Sequence, residues 1–352
     1  MDPDSVESLR AGGGGRAEDA IGPDGRVPHG SSDDPDLLDF SANTNPRVPP
    51  DAGKAYRETF ETARSYPADD YPEFRAAAAS VVSCEPEQVI PTAGGLEAIR
   101  LAIQTTVRAG DRVLVPFPSF GEYAREVRLQ GGTPEFVPHD ELLTADPSGH
   151  ALAIVCNPNN PTGEAADSPA LRAFADDCLA AGTTLLVDEA FLGFTDKRSL
   201  AGREGVVVAR SLTKLFGLPG IRMGYAVGSG EVLDRLATAR RAWSMSAPAA
   251  AVGTHCYGQT EFVAETKAHV ESERARMRDR LSARFDVFPS DAPFLLLSVS
   301  DADKSVDDIL ASAREAGLAL RDARTFRGLG SHIRVAVRAP EENDRLLDAL
   351  DV

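Results

Sequence analysis

Three largely apolar runs in the middle of the chain place the strongest limit on its fold. They cover residues 151–157, 183–190 and 206–211, and a helical pattern over 168–181 separates the first two. A strand that is apolar at nearly every position is buried on both faces, which is typical of a parallel sheet covered by helices. The sequence therefore predicts an α/β fold with a mostly parallel central sheet sandwiched by helices.

The pattern changes after Trp243, where a charged helical segment over about 260–284 precedes short apolar runs and two further helical patterns. This change predicts a second, smaller α+β domain. The predicted organisation is a loose, Gly-rich and Asp-rich N-terminal segment (1–28), an arm joining the small domain (29–48), a large domain (49–245) and a small C-terminal domain (246–352).

The charge balance excludes several classes of partner. The 54 Asp and Glu residues outnumber the 37 Lys and Arg residues, which gives a net charge of -17. Such a field repels nucleic-acid backbones and anionic membrane surfaces, so we expect neither as a partner. Because the chain is acidic and contains only five lysines, we also predict a halophilic source.

Cysteine usage and the N-terminus indicate a cytoplasmic location. The four cysteines are dispersed without a C-x-x-C pair, which predicts reduced thiols and no metal site. The N-terminus lacks the basic and then apolar pattern of a secretion signal, and no apolar run approaches the roughly 18 residues of a membrane span.

Lys214 is the strongest candidate for chemistry. It follows the third apolar run, three residues after Ser211, in a chain that almost avoids lysine. Its amine can form a Schiff base with an aldehyde cofactor, and positive charge from Arg210 and Arg222 is expected to lower its pKa. The alternative, an ordinary surface lysine, is disfavoured by its position beyond a buried strand.

Asp188 ends the second apolar run. A buried carboxylate needs a cation to offset its desolvation, and a protonated pyridine nitrogen is a suitable one. An aspartate that only caps the following turn is the alternative.

Two loops between strands and helices complete the pattern. The turn over 157–163 contains three asparagines and two prolines, which suits either a purely structural turn or an amide aimed at a phenolate oxygen. The glycine pair Gly94–Gly95 lies where free N–H groups and the helix dipole favour a phosphate, although close packing also requires glycine. Arg222 is a second candidate phosphate ligand.

In order along the chain, the motifs NPNNPTG, VDEA and RSLTK, with Arg222 eight residues after the lysine, resemble the fold-type I pyridoxal-phosphate enzymes of the class I/II aminotransferase superfamily. The resemblance extends from about His29 to the C-terminal IRVAVR. It implies that Lys214 holds the cofactor aldehyde, that Asp188 faces the pyridine nitrogen and that Asn160 contacts the phenolic oxygen. The implied phosphate ligands are Ser211, Arg222 and the backbone of Gly95 and Leu96.

The same resemblance assigns three further side chains. Phe120 matches the aromatic residue that stacks on the cofactor ring, and Arg334 matches the arginine that binds the substrate carboxylate. Tyr66 matches a tyrosine that reaches the cofactor phosphate of the neighbouring subunit, which implies a homodimer with shared active sites. A core position for Phe120 and a strand-end ion pair for Arg334 are the alternatives.

This sequence also departs from the superfamily pattern at two positions. Phe191 replaces the tyrosine commonly found three residues after the aspartate, which removes a hydroxyl near the phenolic oxygen. Leu96 replaces a small hydroxyl residue, so one hydrogen bond to the phosphate is expected to be missing or supplied elsewhere.

Within the superfamily, the segments over 27–30 and 37–46 resemble those of the threonine-phosphate decarboxylases. The implied reaction is decarboxylation of O-phospho-L-threonine to (R)-1-amino-2-propanol O-phosphate for cobalamin biosynthesis. The residues expected to contact this phosphorylated substrate are His29, Gly30, Asn43, Asn160, Arg321 and Arg334. A histidinol-phosphate aminotransferase or related aminotransferase is the alternative, because the sequence leaves open which bond at Cα breaks. His29 could also be an ordinary loop histidine.

Overall fold

The computed structural model describes residues 1–10, 25–300 and 304–352. Its strands are β1 (Leu38–Asp39), β2 (Val89–Thr92), β3 (Arg112–Phe117), β4 (Thr133–Pro138), β5 (Leu152–Cys156), β6 (Thr184–Asp188), β7 (Val206–Ser211), β8 (Gly224–Val227), β9 (Asp286–Val287), β10 (Phe294–Ser298), β11 (Leu318–Ala319), β12 (Arg321–Asp322) and β13 (His332–Ala336). Its α-helices are α1 (Pro3–Arg10), α2 (Ala52–Glu58), α3 (Pro72–Val82), α4 (Gly95–Thr106), α5 (Glu122–Leu129), α6 (Ser168–Ala181), α7 (Gly230–Ala239), α8 (Ala247–Tyr257), α9 (Thr260–Leu281), α10 (Val306–Glu315) and α11 (Pro340–Ala349).

The large sheet confirms the predicted mostly parallel architecture. In the described part of the chain its seven strands run in the order β2-β8-β7-β6-β5-β3-β4. Strand β8 is antiparallel to β2 and β7, and the remaining pairs are parallel. The three apolar runs of the sequence form the neighbouring strands β5, β6 and β7, so the carboxyl ends of these strands meet at one edge of the sheet.

Helices cover both faces of this sheet. One face packs against α4, α5 and α7 through side chains such as Ile99, Tyr123 and Leu236. The other packs against α3, α6 and α8, where Phe74 and Phe174 are almost completely buried. Burial on both faces explains why the central strands are apolar throughout.

The smaller unit contains an antiparallel sheet in the order β12-β13-β10-β9, covered by α9, α10 and α11. Its core includes Phe40 from the predicted arm, and β1 of the same arm pairs with β11. The arm also reaches the large domain, because Asn45 donates its backbone N–H to Lys214 O at 3.0 Å. Helix α8 lies beyond the predicted boundary at residue 246, yet it packs against α2 and α3 of the large domain.

The prediction of a loose N-terminus is wrong for residues 3–10, which form α1. Asp2 Oδ2 accepts a hydrogen bond from the backbone N–H of Ser5 at 3.0 Å, and Leu9 is buried. Composition concealed this helix, because the glycines that suggested a loose chain begin only after it. Residues 11–24 lie outside the described residues. Over the described residues, no helix combines the length and apolar character required to cross a membrane.

Candidate active site

A cleft of about 350 Å³ lies where the carboxyl ends of the central strands face the small domain. This volume is in the range of ordinary small-molecule sites. Of the residues predicted from sequence, those lining the cleft are His29, Gly30, Asn43, Gly95, Leu96, Phe120, Asn160, Asp188, Ser211, Lys214, Arg222, Arg321 and Arg334. The structure therefore brings together every predicted site residue except Tyr66.

Lys214 lies in the loop directly after β7, with its side chain in the cleft. Burial is the main reason that the pKa of Lys214 falls to about 8, and the charges of Arg334 and Arg222 lower it further. A lower pKa leaves more of the amine in its neutral, nucleophilic form. Lys214 therefore suits covalent capture of an aldehyde.

The expected contribution of Arg210 to this pKa is wrong. Arg210 instead donates from Nη1 to Glu189 Oε2 at 3.0 Å, and both side chains are buried. Successive residues at a strand end point to opposite faces, so Asp188 and Ser211 turn toward the cleft while Glu189 and Arg210 turn away. Arg334, 120 positions further along the chain, supplies the charge instead.

Asp188 lies at the end of β6 and is held by two hydrogen bonds. Tyr123 donates its hydroxyl to Asp188 Oδ2 at 2.6 Å, and the backbone N–H of Ala190 donates to Oδ1 at 3.0 Å. Burial raises the pKa of Asp188, while these hydrogen bonds oppose that rise. A cation facing the carboxylate would offset the cost of burial.

Arg222 lies beside the glycine turn at the beginning of α4. Gly94 has φ +94°, and a Cβ there would lie 2.8 Å from Arg222 Nη2. Ser211 Oγ lies 2.8 Å from Thr213 Oγ1, so a second hydroxyl joins the predicted one. Thr213 was not predicted, and it is a candidate to replace the hydrogen bond missing at Leu96.

The three asparagine side chains of the turn over 157–163 make different contacts. Asn157 accepts from the backbone of Ala166, and Asn159 bonds Pro118, Ser119 and Thr162 within or beside the turn. Asn160 faces the cleft, where its Oδ1 accepts from Arg334 Nη1. Because the oxygen is used in this way, the amide nitrogen of Asn160 remains as the donor for a ring oxygen.

Two aromatic residues line the cleft near Asp188. Phe120 packs edge-on against Tyr123, with ring centroids 5.6 Å apart. Phe191 packs edge-on against Phe294 at 5.1 Å. The predicted loss of a hydroxyl at position 191 is thus accompanied by an apolar contact with the small domain.

Arg334 and Arg321 bring two buried guanidinium groups into the cleft. Arg334 donates from Nη2 to Ser41 O at 2.9 Å, and Arg321 donates from Nη2 to Pro28 O at 2.6 Å. Burial lowers the pKa of Arg334, and neighbouring Arg321 lowers it further. The Nε atoms of both arginines are buried without a hydrogen-bond partner among the described residues.

The N-terminal arm supplies the remaining predicted residues. His29 Nε2 lies 3.0 Å from Glu122 Oε1, and a Cβ at Gly30 would lie only 2.3 Å from Ser41 O. Asn43 Oδ1 is buried and has no hydrogen-bond partner within the described residues. Glu122 and Tyr123 were not predicted, because no motif marks them and each acts through a residue far away in sequence.

Tyr66 lies outside the cleft of its own chain. The residue is 79% exposed, and its ring stacks on Trp243 with centroids 4.3 Å apart.

A family model described as aminotransferase class I and II matches residues 35–350. The chain belongs to this family. Histidinol-phosphate aminotransferase 1 of Archaeoglobus fulgidus is 29% identical over 322 residues, which cover 89% of this chain and 98% of the relative. A Caldanaerobacter subterraneus protein provisionally named a threonine-phosphate decarboxylase is 31% identical over 330 residues, covering 88% of each chain. Among solved structures, histidinol-phosphate aminotransferase of Sinorhizobium meliloti in complex with pyridoxal-5'-phosphate has a TM-score of 0.77 at 21% identity, covering 88% of each chain.

The cofactor of this family is pyridoxal phosphate, and the cleft fits it. The fit rests on three features of this chain: a lysine with a lowered pKa, a buried carboxylate in need of a cation, and a glycine turn beside an arginine. The residues that would hold the cofactor are those predicted: Gly95, Leu96, Phe120, Asn160, Asp188, Ser211, Lys214 and Arg222.

Proposed function

We propose that the protein decarboxylates O-phospho-L-threonine to (R)-1-amino-2-propanol O-phosphate, a step of cobalamin biosynthesis. The main observation that supports this proposal is the pair of buried guanidinium groups in the cleft. Arg334 and Arg321 bond only neutral acceptors, and over the described residues neither forms an ion pair with a carboxylate. A substrate with two anionic ends, one carboxylate and one phosphate, would satisfy both groups.

When bound, pyridoxal phosphate supplies an aldehyde for the amines and a ring that accepts the electron pair of the bond broken at Cα. Asp188, as a carboxylate, would hold a proton on the ring nitrogen. Tyr123 supports this charge by donating its hydroxyl to Asp188. Asn160 would hold the cofactor through its amide nitrogen, and Phe120 would pack against the cofactor ring.

Arg334 and Lys214 direct the bond cleavage. Arg334 would bind the substrate carboxylate and fix its orientation, which decides which bond at Cα breaks. Loss of CO2 would break the Cα–carboxylate bond, and Lys214 Nζ would then deliver the proton that Cα requires. His29, Asn43 and Arg321 hold the phosphate at the other end of the substrate.

Histidinol-phosphate amino transfer is the second candidate, because the Archaeoglobus fulgidus relative carries that name. Histidinol phosphate has a phosphate but no carboxylate. It would therefore occupy only one of the two guanidinium groups during the first half of its reaction, which makes it the weaker fit to this cleft.

Incubation of the holoprotein with O-phospho-L-threonine, and separately with histidinol phosphate and 2-oxoglutarate, tests the proposal. We expect CO2 release from the first mixture and no glutamate in the second. Glutamate formation without CO2 release would reject decarboxylation in favour of amino transfer.

We also infer that the protein is a homodimer, in which Tyr66 of each subunit reaches the cofactor phosphate of the other subunit. Support comes from exposed aromatic side chains on one stretch of chain, Tyr56, Phe60 and Tyr66. Sedimentation should give a dimer, and Tyr66→Ala should weaken cofactor binding without changing the fold. The acidic, lysine-poor composition supports a halophilic source, and the dispersed cysteines support a cytoplasmic location. We expect activity to persist in molar potassium chloride.

A further inference from the structure

Glu122 is a buried carboxylate at the beginning of α5 to which the proposed reaction gives no role. Its Oε1 lies 3.0 Å from His29 Nε2, and its Oε2 lies 3.4 Å from Arg125 Nη1. The Glu122 side chain is 7% exposed, whereas that of His29 is 50% exposed. The buried partner is therefore the rigid one, and it can fix the position of the exposed ring.

The segment over residues 25–30, here called the mouth segment, is anchored from two sides. From α5, Arg125 Nε donates to Gly25 O at 2.9 Å, and Glu122 contacts His29. From β12, Arg321 Nη2 donates to Pro28 O at 2.6 Å. The mouth segment thus connects the large domain to a substrate-facing arginine of the small domain.

The contact with Glu122 determines which nitrogen of the His29 ring can bind a ligand. Because Nε2 faces Glu122, Nδ1 is the ring atom left for a ligand. The ring centroid lies 5.7 Å from that of Phe120, so the imidazole stands beside the predicted position of the cofactor ring. A histidine without Glu122 could rotate and present either nitrogen, or turn out of the cleft.

We propose that Glu122 is a positioning residue that holds His29 by Nε2, so that Nδ1 meets the phosphate of the substrate. This inference rests on the proposed function only in requiring a phosphorylated substrate. Glu122 does not line the cleft, so its effect on binding passes through His29.

The test compares the holoenzyme with Glu122→Gln, which keeps the size of the side chain and removes its charge. We expect KM for O-phospho-L-threonine to rise about tenfold, the scale of one charge-assisted hydrogen bond, with kcat nearly unchanged. The inhibition constant of L-threonine, which lacks the phosphate, should stay as in the wild type. Cofactor absorbance and the thermal unfolding midpoint show whether each variant is folded.

Glu126→Gln is the matched control, because Glu126 is also buried on α5 and pairs with Arg125 at 3.0 Å. It lacks the contact with His29, so its KM should resemble that of the wild type. His29→Ala and the double variant with Glu122→Gln complete a cycle. If Glu122 acts through His29, the second change adds nothing to the first.

Additive KM effects, an unchanged KM in Glu122→Gln, or an equal rise in Glu126→Gln would each overturn the inference. Should Glu122→Gln fail to fold, Glu122→Asp retains the charge beside Arg125 and enters the same cycle. Failure of the proposed function is a separate result. If the wild type instead transfers the amino group of histidinol phosphate, the same variants are measured on that phosphorylated substrate.

Discussion

Tyr123→Phe is the most informative single substitution, because it removes the hydroxyl that donates to Asp188, the carboxylate proposed to face the cofactor ring. The hydroxyl donates to Asp188 Oδ2 at 2.6 Å, and both residues are buried. A hydrogen bond to a charged group contributes about 1.5–3 kcal/mol. At about 1.4 kcal/mol per pKa unit, its loss should raise the pKa of Asp188 by about one to two units.

The direction of the pH effect follows from the charge that Asp188 must carry. Burial already raises its pKa, and the Tyr123 hydrogen bond opposes this rise by stabilising the carboxylate. Activity that requires the carboxylate is present above this pKa and disappears as the pH falls through it. In Tyr123→Phe, the acid limb of the kcat profile should therefore move to higher pH by about one to two units.

The assay is the initial rate of CO2 release at saturating substrate, measured from weakly acidic to weakly alkaline pH. Tyr225→Phe is the control. Tyr225 lies on β8 of the sheet that carries Asp188 and is as buried as Tyr123, but it does not contact Asp188. An acid limb that stays in place in Tyr123→Phe, or moves equally in both variants, would refute the argument.

Three further predictions concern the lysine, the phosphate turn and the substrate arginine. Cofactor-free protein should take up pyridoxal phosphate faster as the pH rises through about 8, the pKa of Lys214, and a rise only near 10.5 would contradict this. Gly94→Ala, whose Cβ would meet Arg222, should weaken cofactor binding at least about tenfold in an absorbance titration. Gly110→Ala has a similar positive φ in open space and should leave that affinity unchanged. Arg334→Lys should raise KM about tenfold or more, because one ammonium group cannot replace a planar guanidinium, and an unchanged KM would contradict its role.

Much of the site could be predicted because it lies at strand ends marked by local sequence. Asp188 ends β6, and Asn160 and Lys214 follow β5 and β7; adjacent parallel strands bring these carboxyl ends together. The prediction therefore required only the strand runs and the residues that follow them.

The remaining features depend on contacts that the sequence does not encode locally. Tyr123 reaches Asp188 across 65 positions, and Glu122 reaches His29 across 93. The expected effect of Arg210 on Lys214 is wrong because nearness in sequence does not account for the alternation of side chains along β7. Such side-chain directions become visible only when helices and strands are packed.

The most direct test of the whole account is the site of cofactor attachment. Borohydride reduction of the holoprotein, followed by peptide mass spectrometry, should place the pyridoxyl group on Lys214 alone. An adduct on any of the other four lysines, or no adduct at all, would contradict the assignment on which the proposed reaction depends.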